Sequence, residues 1–476
     1  MNTFPIYAGG NFITTPTDLP VRNPFTGEIF ATTFLADALV LENSIFVAQR
    51  ARKIMRDLPV WKKAESLNNI AVALKSDREY HAKVLSAESA KPLCYALSEV
   101  DRAVQTFLIA AEECKRLPKE YMSMDWTPSG ERREGLVGYF PSGLVAGISP
   151  FNFPLNLAVH KIAPAIAAGC PIILKPASST PLSTLLLAKI IDKTDLPKGS
   201  VAILPMNRTT GNLLVTDERF SLLSFTGSPE VGWEMKKNAG KKKVVLELGG
   251  NAGVIVSENV NSWSDTKKRD MVRKCVAGGF AYSGQICIHA QRFFVHESCY
   301  DEFVNAFISE IKNLKQGDPL EETVNFSSMI DEANARRVES WITEAKQAGA
   351  RVLCGGARDG SLVVPTVLTA TNPKMKVNSE EIFGPVVIVE KFQTLKQAVD
   401  MVNDSRFGLQ CGVFTDSIEE MNYCFREIEA GGIILNEAPT LRFDHMPYGG
   451  VKDSGLGREG IRYAIMDMME TKVLIK

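Results

Sequence analysis

Between residues 144 and 248 the chain alternates short apolar runs with longer helical patterns, and this alternation limits the folds open to it more than any other feature. Strands are expected at 144–149, 171–174, 201–204, 221–225 and 244–248, and helices at 155–168, 184–191 and 230–238. Neighbouring parallel strands need a crossover, which a helix supplies, so repeated units of this length predict a parallel sheet with helices on both faces. A second set follows, with helices expected at 270–280, 300–314, 331–347, 395–403 and 418–428 and strands at 292–296, 386–391, 412–415 and 433–436. The fold class is therefore α/β, with two parallel-sheet, Rossmann-like domains. At roughly 100–200 residues per domain, the 476 residues fit two or three domains. A polar stretch at 119–133 and the apolar tail at 471–475 read as strands outside these sheets.

Composition narrows the function. Lys and Arg number 54 against 55 Asp and Glu, a net charge of −1, so neither nucleic acid nor an anionic membrane is an expected partner. The longest uncharged run, 135–160, could span a bilayer by length, but four Gly, three Pro and two Asn interrupt it; strand, turn and helix start are expected instead. The first twenty residues carry no Lys or Arg, so no targeting segment is expected. The nine cysteines are scattered without a CxxC pair, which favours free thiols and a cytoplasmic setting. There is no HExxH and no His/Cys cluster, so no metal site is expected. One GxGxxG occurs, at Gly455, Gly457 and Gly460, but it follows the polar run Lys452-Asp453-Ser454 rather than a strand, and reads as a glycine-rich turn.

Three segments carry a possible chemistry. Asn152 lies in Pro150-Phe151-Asn152-Phe153-Pro154, Glu247 precedes Leu248-Gly249-Gly250, and Cys287 ends Ser283-Gly284-Gln285-Ile286-Cys287. The first two follow expected strands, where α/β folds place ligands. An amide, a carboxylate and a thiol make a workable oxyanion donor, general base and nucleophile. Taken singly, each also has a plain structural reading, as turn cap, surface carboxylate and core thiol, and spacing alone does not join them in space.

These segments, with Lys175-Pro176-Ala177, Phe225-Thr226-Gly227-Ser228, Glu381-Ile382-Phe383-Gly384-Pro385 and Pro447-Tyr448-Gly449-Gly450, resemble the aldehyde dehydrogenase superfamily over essentially the whole chain, in particular its lactaldehyde and non-phosphorylating glyceraldehyde-3-phosphate branch. The resemblance implies the aldehyde dehydrogenase fold. Its cofactor-binding domain would comprise 1–118 and 138–248, its catalytic domain 249–450, and a bridging element 119–137 with 451–476. It implies NAD(P)-dependent oxidation of a small-molecule aldehyde to a carboxylate. Cys287 would attack, the Asn152 amide and the Cys287 N–H would hold the oxyanion, and Glu247 would activate the water that hydrolyses the thioester. Phe151, Lys175, Ser178, Gly227, Ser228, Gly232, Leu248, Glu381 and Phe383 are the implied cofactor-binding residues. A homodimer or homotetramer is implied, with the bridging element extending a neighbour's catalytic sheet.

Departures from the family pattern refine this reading. Ser178 stands where many NAD-preferring relatives carry a Glu that binds the ribose 2′-hydroxyl, so NADP is expected to be accepted alongside NAD. The 40-residue spacing from Glu247 to Cys287 is longer than usual, with the excess expected in a polar surface loop at 260–268. Glu247 itself favours hydrolysis over transfer to coenzyme A; a coenzyme-A-acylating semialdehyde dehydrogenase and a non-catalytic binding protein on the same fold are the alternatives. Arg102, Arg442, His445 and Tyr448 are candidate substrate residues. Arg442 has a second reading, in which it pairs with Asp444 or faces a subunit neighbour. Ile286, before the nucleophile, disfavours a phosphorylated substrate and leaves a small hydroxyaldehyde or semialdehyde.

Overall fold

A computed structural model describes residues 2–476. Its first large sheet has eight strands in the order Gly455–Leu456, Lys243–Glu247, Phe220–Thr226, Leu144–Ile148, Ile172–Lys175, Val201–Ile203, Ile6–Ala8 and Asn11–Ile13. The five strands from Lys243–Glu247 to Val201–Ile203 run parallel. Side chains on these strands alternate between two buried layers. Val145, Ile172 and Leu174 face the core under helices Val60–Ser76, Leu93–Glu113, Asn156–Ala168 and Leu182–Ile191. Leu144, Ala146, Ile148 and Ile173 face the opposite core, under helix Ala38–Asp57. Both faces are thus dry, which is why the strands read as unbroken apolar runs rather than alternating ones.

The strand order reverses between Leu144–Ile148 and Phe220–Thr226, whose chain continuations run to opposite sides of the sheet. Such a switch point opens a crevice beyond the strand ends. The segments that follow, Ser149–Asn152 and Gly227–Ser228, therefore stand at its mouth.

The second large sheet orders Arg351–Cys354, Thr366–Thr369, Val386–Phe392, Arg292–His296, Gly253–Val256, Gln410–Phe414 and Gly432–Leu435, all parallel but the first. Helices Asp265–Phe280 and Tyr300–Ile311 cover one face, and Leu395–Asn403 and Ile418–Glu427 the other. A third, antiparallel sheet joins Met469–Ile475, Glu134–Pro141 and Glu120–Ser123. Tyr121, Trp126, Leu136, Phe140, Val473, Leu474 and Ile475 remain exposed on or beside it.

Two expectations change. Of the segment 451–476 assigned to a bridging element, only Met469–Ile475 lies in that third sheet; Gly455–Leu456 extends the first large sheet, and Ile461 and Ile465 sit in its core. The span 260–268 is not a loop. It holds the end of a 3-10 turn, Glu258–Ser262, and the start of helix Asp265–Phe280, capped by the Ser264 side chain, with Val260 and Trp263 buried. The polar composition belongs to the helix's solvent face. Among the described residues no helix is long and apolar enough to cross a membrane.

Candidate active site

A cleft of about 830 Å³ lies between the two large sheets. Phe151, Asn152, Lys175, Gly227, Ser228, Glu247, Leu248, Cys287, Glu381 and Phe383 all line it, although they come from segments more than 200 residues apart. The Cys287 turn is reached through three consecutive left-handed residues, Tyr282 (φ 48°), Ser283 (φ 53°) and Gly284 (φ 68°). Left-handed non-glycine backbone costs of order 1–3 kcal/mol per residue and persists only where its surroundings dictate it. Here the Tyr282 hydroxyl donates to Ser89 O (3.0 Å), Ser283 Oγ to Ser327 O (2.6 Å), and Gln285 Oε1 accepts from Ile330 N–H (2.9 Å).

The Asn152 amide donates to Gln285 O (2.9 Å), tying its loop to that turn. Below it, the buried Glu99 carboxylate accepts from Leu155 N–H (3.0 Å) and Asn156 N–H (3.1 Å), at the start of helix Asn156–Ala168. The fully buried Lys91 ammonium pairs with Glu99 and lies over the rings of Phe153 (3.7 Å) and Tyr282 (4.5 Å). Burial pulls the Lys91 pKa down to about 8 even with Glu99 beside it. One cation thus holds the Asn152 and Cys287 loops together.

Glu247 ends strand Lys243–Glu247, which is paired on one side with Phe220–Thr226 and on the other with the edge strand Gly455–Leu456. Both its carboxylate oxygens are buried without a hydrogen-bond partner in the chain. Burial, then the nearby Glu459, pushes its pKa well above the carboxylate range. Burial likewise raises the Cys287 thiol to about 11, and its hydrogen bond with the Tyr448 hydroxyl (Sγ–Oη 3.2 Å) works in the opposite direction.

The cofactor half of the cleft fits a dinucleotide. Ser228 precedes helix Pro229–Asn238, and Ser228, Pro229 and Glu230 line the cleft, so a helix N-terminus, which favours anions, borders it. Glu381 accepts from Gly250 N–H (2.9 Å), and burial raises its pKa to about 7. A Cβ on Gly249 would run into that carboxylate, so a side chain there would push Glu381 out of this position. The Phe151 and Phe383 rings meet edge to face at 5.8 Å, and Phe383 holds a strained φ of 44°. The Lys175 stem lies against Gly211, in helix Arg208–Thr216.

Not every expected residue lines the cleft. Ser178 is exposed and lies outside its lining, on the turn after Lys175. Gly232 sits one turn into its helix, pressed against Leu248 and Phe225, and serves helix–sheet packing rather than ligand contact. The lining also includes Arg337, Trp341 and Arg406, which sequence reasoning passed over. Arg406 holds Glu230 from the first domain and Glu380 from the second, both at 2.9 Å. These residues carry no motif; only their position in space marks them.

The substrate candidates separate as well. His445 is exposed against Phe443. Arg102 pairs with Asp444 (2.7 Å), which His160 Nε2 also meets at 2.9 Å. Arg442 makes no hydrogen bond to Asp444: it donates to Glu459 (2.9 Å) and meets His160 Nδ1 (3.1 Å), with its side chain 6% exposed. Lys161, fully buried, adds a contact to Glu459 (3.3 Å). His160 and Lys161 stand out as a polar pair in the middle of a largely apolar helix, but their acidic partners Asp444 and Glu459 lie almost 300 residues away.

Comparison with known proteins agrees with this geometry. The family model described as the aldehyde dehydrogenase family matches residues 12–474. A 3-sulfolactaldehyde dehydrogenase of Priestia aryabhattai is 37% identical over 99% of this chain and 97% of its own length. A lactaldehyde dehydrogenase of Methanococcus aeolicus is 38% identical over 96% and 97%. Among solved structures, aldehyde dehydrogenase 21 of Physcomitrella patens, in complex with the reaction product succinate, superposes with a TM-score of 0.97 at 42% identity, covering 100% of this chain and 98% of that one. A glyceraldehyde-3-phosphate dehydrogenase of Methanocaldococcus jannaschii complexed with NADP gives 0.91 at 35% identity, covering 97% and 99%. The chain belongs to the aldehyde dehydrogenase family, and is an oxidoreductase that uses NADP or NAD.

Proposed function

We propose that the protein oxidises a small anionic or hydroxylated aldehyde to its carboxylate, with Cys287 as nucleophile, Asn152 as oxyanion donor and Glu247 as general base. The observation that carries this reading is the convergence of all three side chains on the one cleft whose other half suits a dinucleotide. Cys287 Sγ adds to the carbonyl carbon as the thiolate, its proton having been released to water. The oxyanion that forms is held by the Asn152 N–H not engaged by Gln285 and by the Cys287 backbone N–H; loss of one such donor costs about 10²–10³ in rate. A bound nicotinamide would supply the two-electron oxidant, as hydride acceptor, that leaves a thioester on Cys287. Glu247, buried and of raised pKa, takes a proton from the water that attacks the thioester, and the thiol is released with the carboxylate product.

Lys175, Ser228, Glu381 and Phe383 would hold the cofactor. Arg208, exposed at the start of the helix whose Gly211 touches Lys175 and held only loosely by Glu234 (3.9 Å), is a second cation available to a 2′-phosphate bound at Lys175. This supports NADP use more directly than Ser178 does.

Relatives acting on sulfolactaldehyde and lactaldehyde, and a neighbour holding succinate, suit a substrate with an anion or hydroxyl beside the aldehyde. Arg102 is the cation assigned to that group in this reading: its side chain is 29% exposed, with one Nη held by Asp444. The exposed apolar residues of the third sheet and the exposed edge at Gly432–Leu435 support a homodimer or homotetramer formed by strand pairing. The nine free thiols support a cytoplasmic setting.

A panel of sulfonated, carboxylated, hydroxylated and plain aldehydes, run with each cofactor and with and without coenzyme A, tests the reading. Coenzyme-A-independent carboxylate formation, fastest with the anionic or hydroxylated members, is expected. Strict dependence on coenzyme A would overturn it, and an NAD preference of about a hundredfold, about 2.7 kcal/mol, would overturn the cofactor assignment.

A further inference from the structure

The thiol in this site is badly placed to ionise. It sits among Phe153, Tyr282, Ile286, Ile288, Leu409 and Met446, an apolar surround that disfavours charge. Two carboxyl groups, Glu247 and Glu381, also face it and oppose a thiolate. Against these stands a paired arrangement on the far side from the cofactor cleft. The Tyr448 hydroxyl is 3.2 Å from Cys287 Sγ, and the Arg442 Cζ lies over the Tyr448 ring, 3.6 Å from its centre.

Arg442 is not free to reach a ligand. Glu459 and His160 hold it from behind, and little of it is exposed. The ionic groups behind Tyr448 are three cations, Arg102, Lys161 and Arg442, against two acids, Asp444 and Glu459; His160 is kept neutral by burial and then by Arg442. Of these groups, Arg442 is the cation that acts on both Tyr448 and the thiol. Burial keeps the proton on Tyr448, so the phenol is a permanent donor. A cation on the ring face draws electron density from the phenol and makes its O–H a stronger donor.

We propose that Tyr448 is a catalytic hydrogen-bond donor to the Cys287 thiolate, and that Arg442 is a positioning residue that fixes and polarises that donor, rather than either residue reading the substrate. The proposal rests on Cys287 being the nucleophile. It assigns the phenolic oxygen, which a Phe would lack, a function separate from the ring's packing.

The test is the pH dependence of Cys287 alkylation by iodoacetamide in the full-length protein, with the labelled cysteine identified by peptide mass, alongside residual activity. Tyr448→Phe removes one oxygen and keeps the ring. Loss of a hydrogen bond to a charged group should raise the apparent thiol pKa by about one to two units, slowing alkylation at neutral pH about 10–100-fold. kcat/KM should fall by the same factor for anionic and neutral aldehydes. Arg442→Met should move the thiol pKa in the same direction, and Arg442→Lys should move it less. The absorbance of the thiolate near 240 nm, titrated in wild type and Tyr448→Phe, gives a second readout that needs no reagent. An unshifted alkylation profile in Tyr448→Phe, or a rise in KM confined to anionic aldehydes, would overturn the proposal. Full labelling of Cys287 without loss of activity in the wild type would instead remove the nucleophile assignment itself.

Discussion

Replacing Glu247 by Gln isolates one chemical step. Neither carboxylate oxygen has a hydrogen-bond partner in the chain, so the isosteric amide breaks no hydrogen bond within the protein. The fold should even benefit at alkaline pH. Burial and Glu459 raise the Glu247 pKa in the folded state, so the folded protein holds this proton more tightly than the unfolded chain. That contribution to stability is complete below the ordinary carboxylate range and is lost as pH rises through the raised value. Gln carries no such loss, so the variant should resist thermal inactivation at pH 8 at least as well as the wild type. The kinetic cost falls on hydrolysis. Removing a general base costs about 10²–10⁴, or about 2.7–5.4 kcal/mol. Stopped-flow mixing with a good aldehyde should show a burst of reduced cofactor close to one per active site, then a steady state slowed by that factor. Intact mass should show an acyl adduct on Cys287. In the wild type the hydrolysis rate should climb with pH as Glu247 ionises, and the variant should lack that limb. An unchanged steady state would refute the base assignment; loss of the burst would mean that Glu247 acts before hydride transfer.

Arg102→Met should raise KM for anionic aldehydes about tenfold or more, as expected for one lost charge-assisted contact, and leave neutral aldehydes unchanged; an equal effect on both would place Arg102 outside the substrate site. Arg208→Met should weaken NADP binding, read by fluorescence titration, and leave NAD binding as it was; parallel loss of both would remove the 2′-phosphate assignment. Lys91→Met leaves the Glu99 carboxylate buried without its cation and should cost about 3–5 kcal/mol in urea unfolding, partly recovered in Lys91→Met with Glu99→Gln. A cost within about 0.5 kcal/mol would mean that the ion pair does not hold the two loops.

Secondary structure in the two large sheets was legible because it is a local property. Arg292–His296 and Leu395–Asn403 fall at their expected limits, and both carry the apolar pattern of their own element. The span 260–268 reads as a loop from sequence because a short turn and the polar first turn of a helix share a loop's composition; the burial of Val260 and Trp263, just before the helix, shows only in the fold. Gly232 and Ser178 were drawn into the cofactor list by motif proximity, which does not distinguish facing a ligand from packing behind it.

What the sequence determined by itself is the alternation that makes two parallel sheets, and the residue types available for chemistry at Asn152, Glu247 and Cys287. Tertiary structure alone decided their electrostatics. Cys287 meets Tyr448 across 161 positions, Lys161 meets Glu459 across 298, and Arg102 meets Asp444 across 342. Whether a charge is desolvated, neutralised or left to polarise a neighbour depends on such distant partners and on what excludes water. Neither follows from the spacing of residues along the chain.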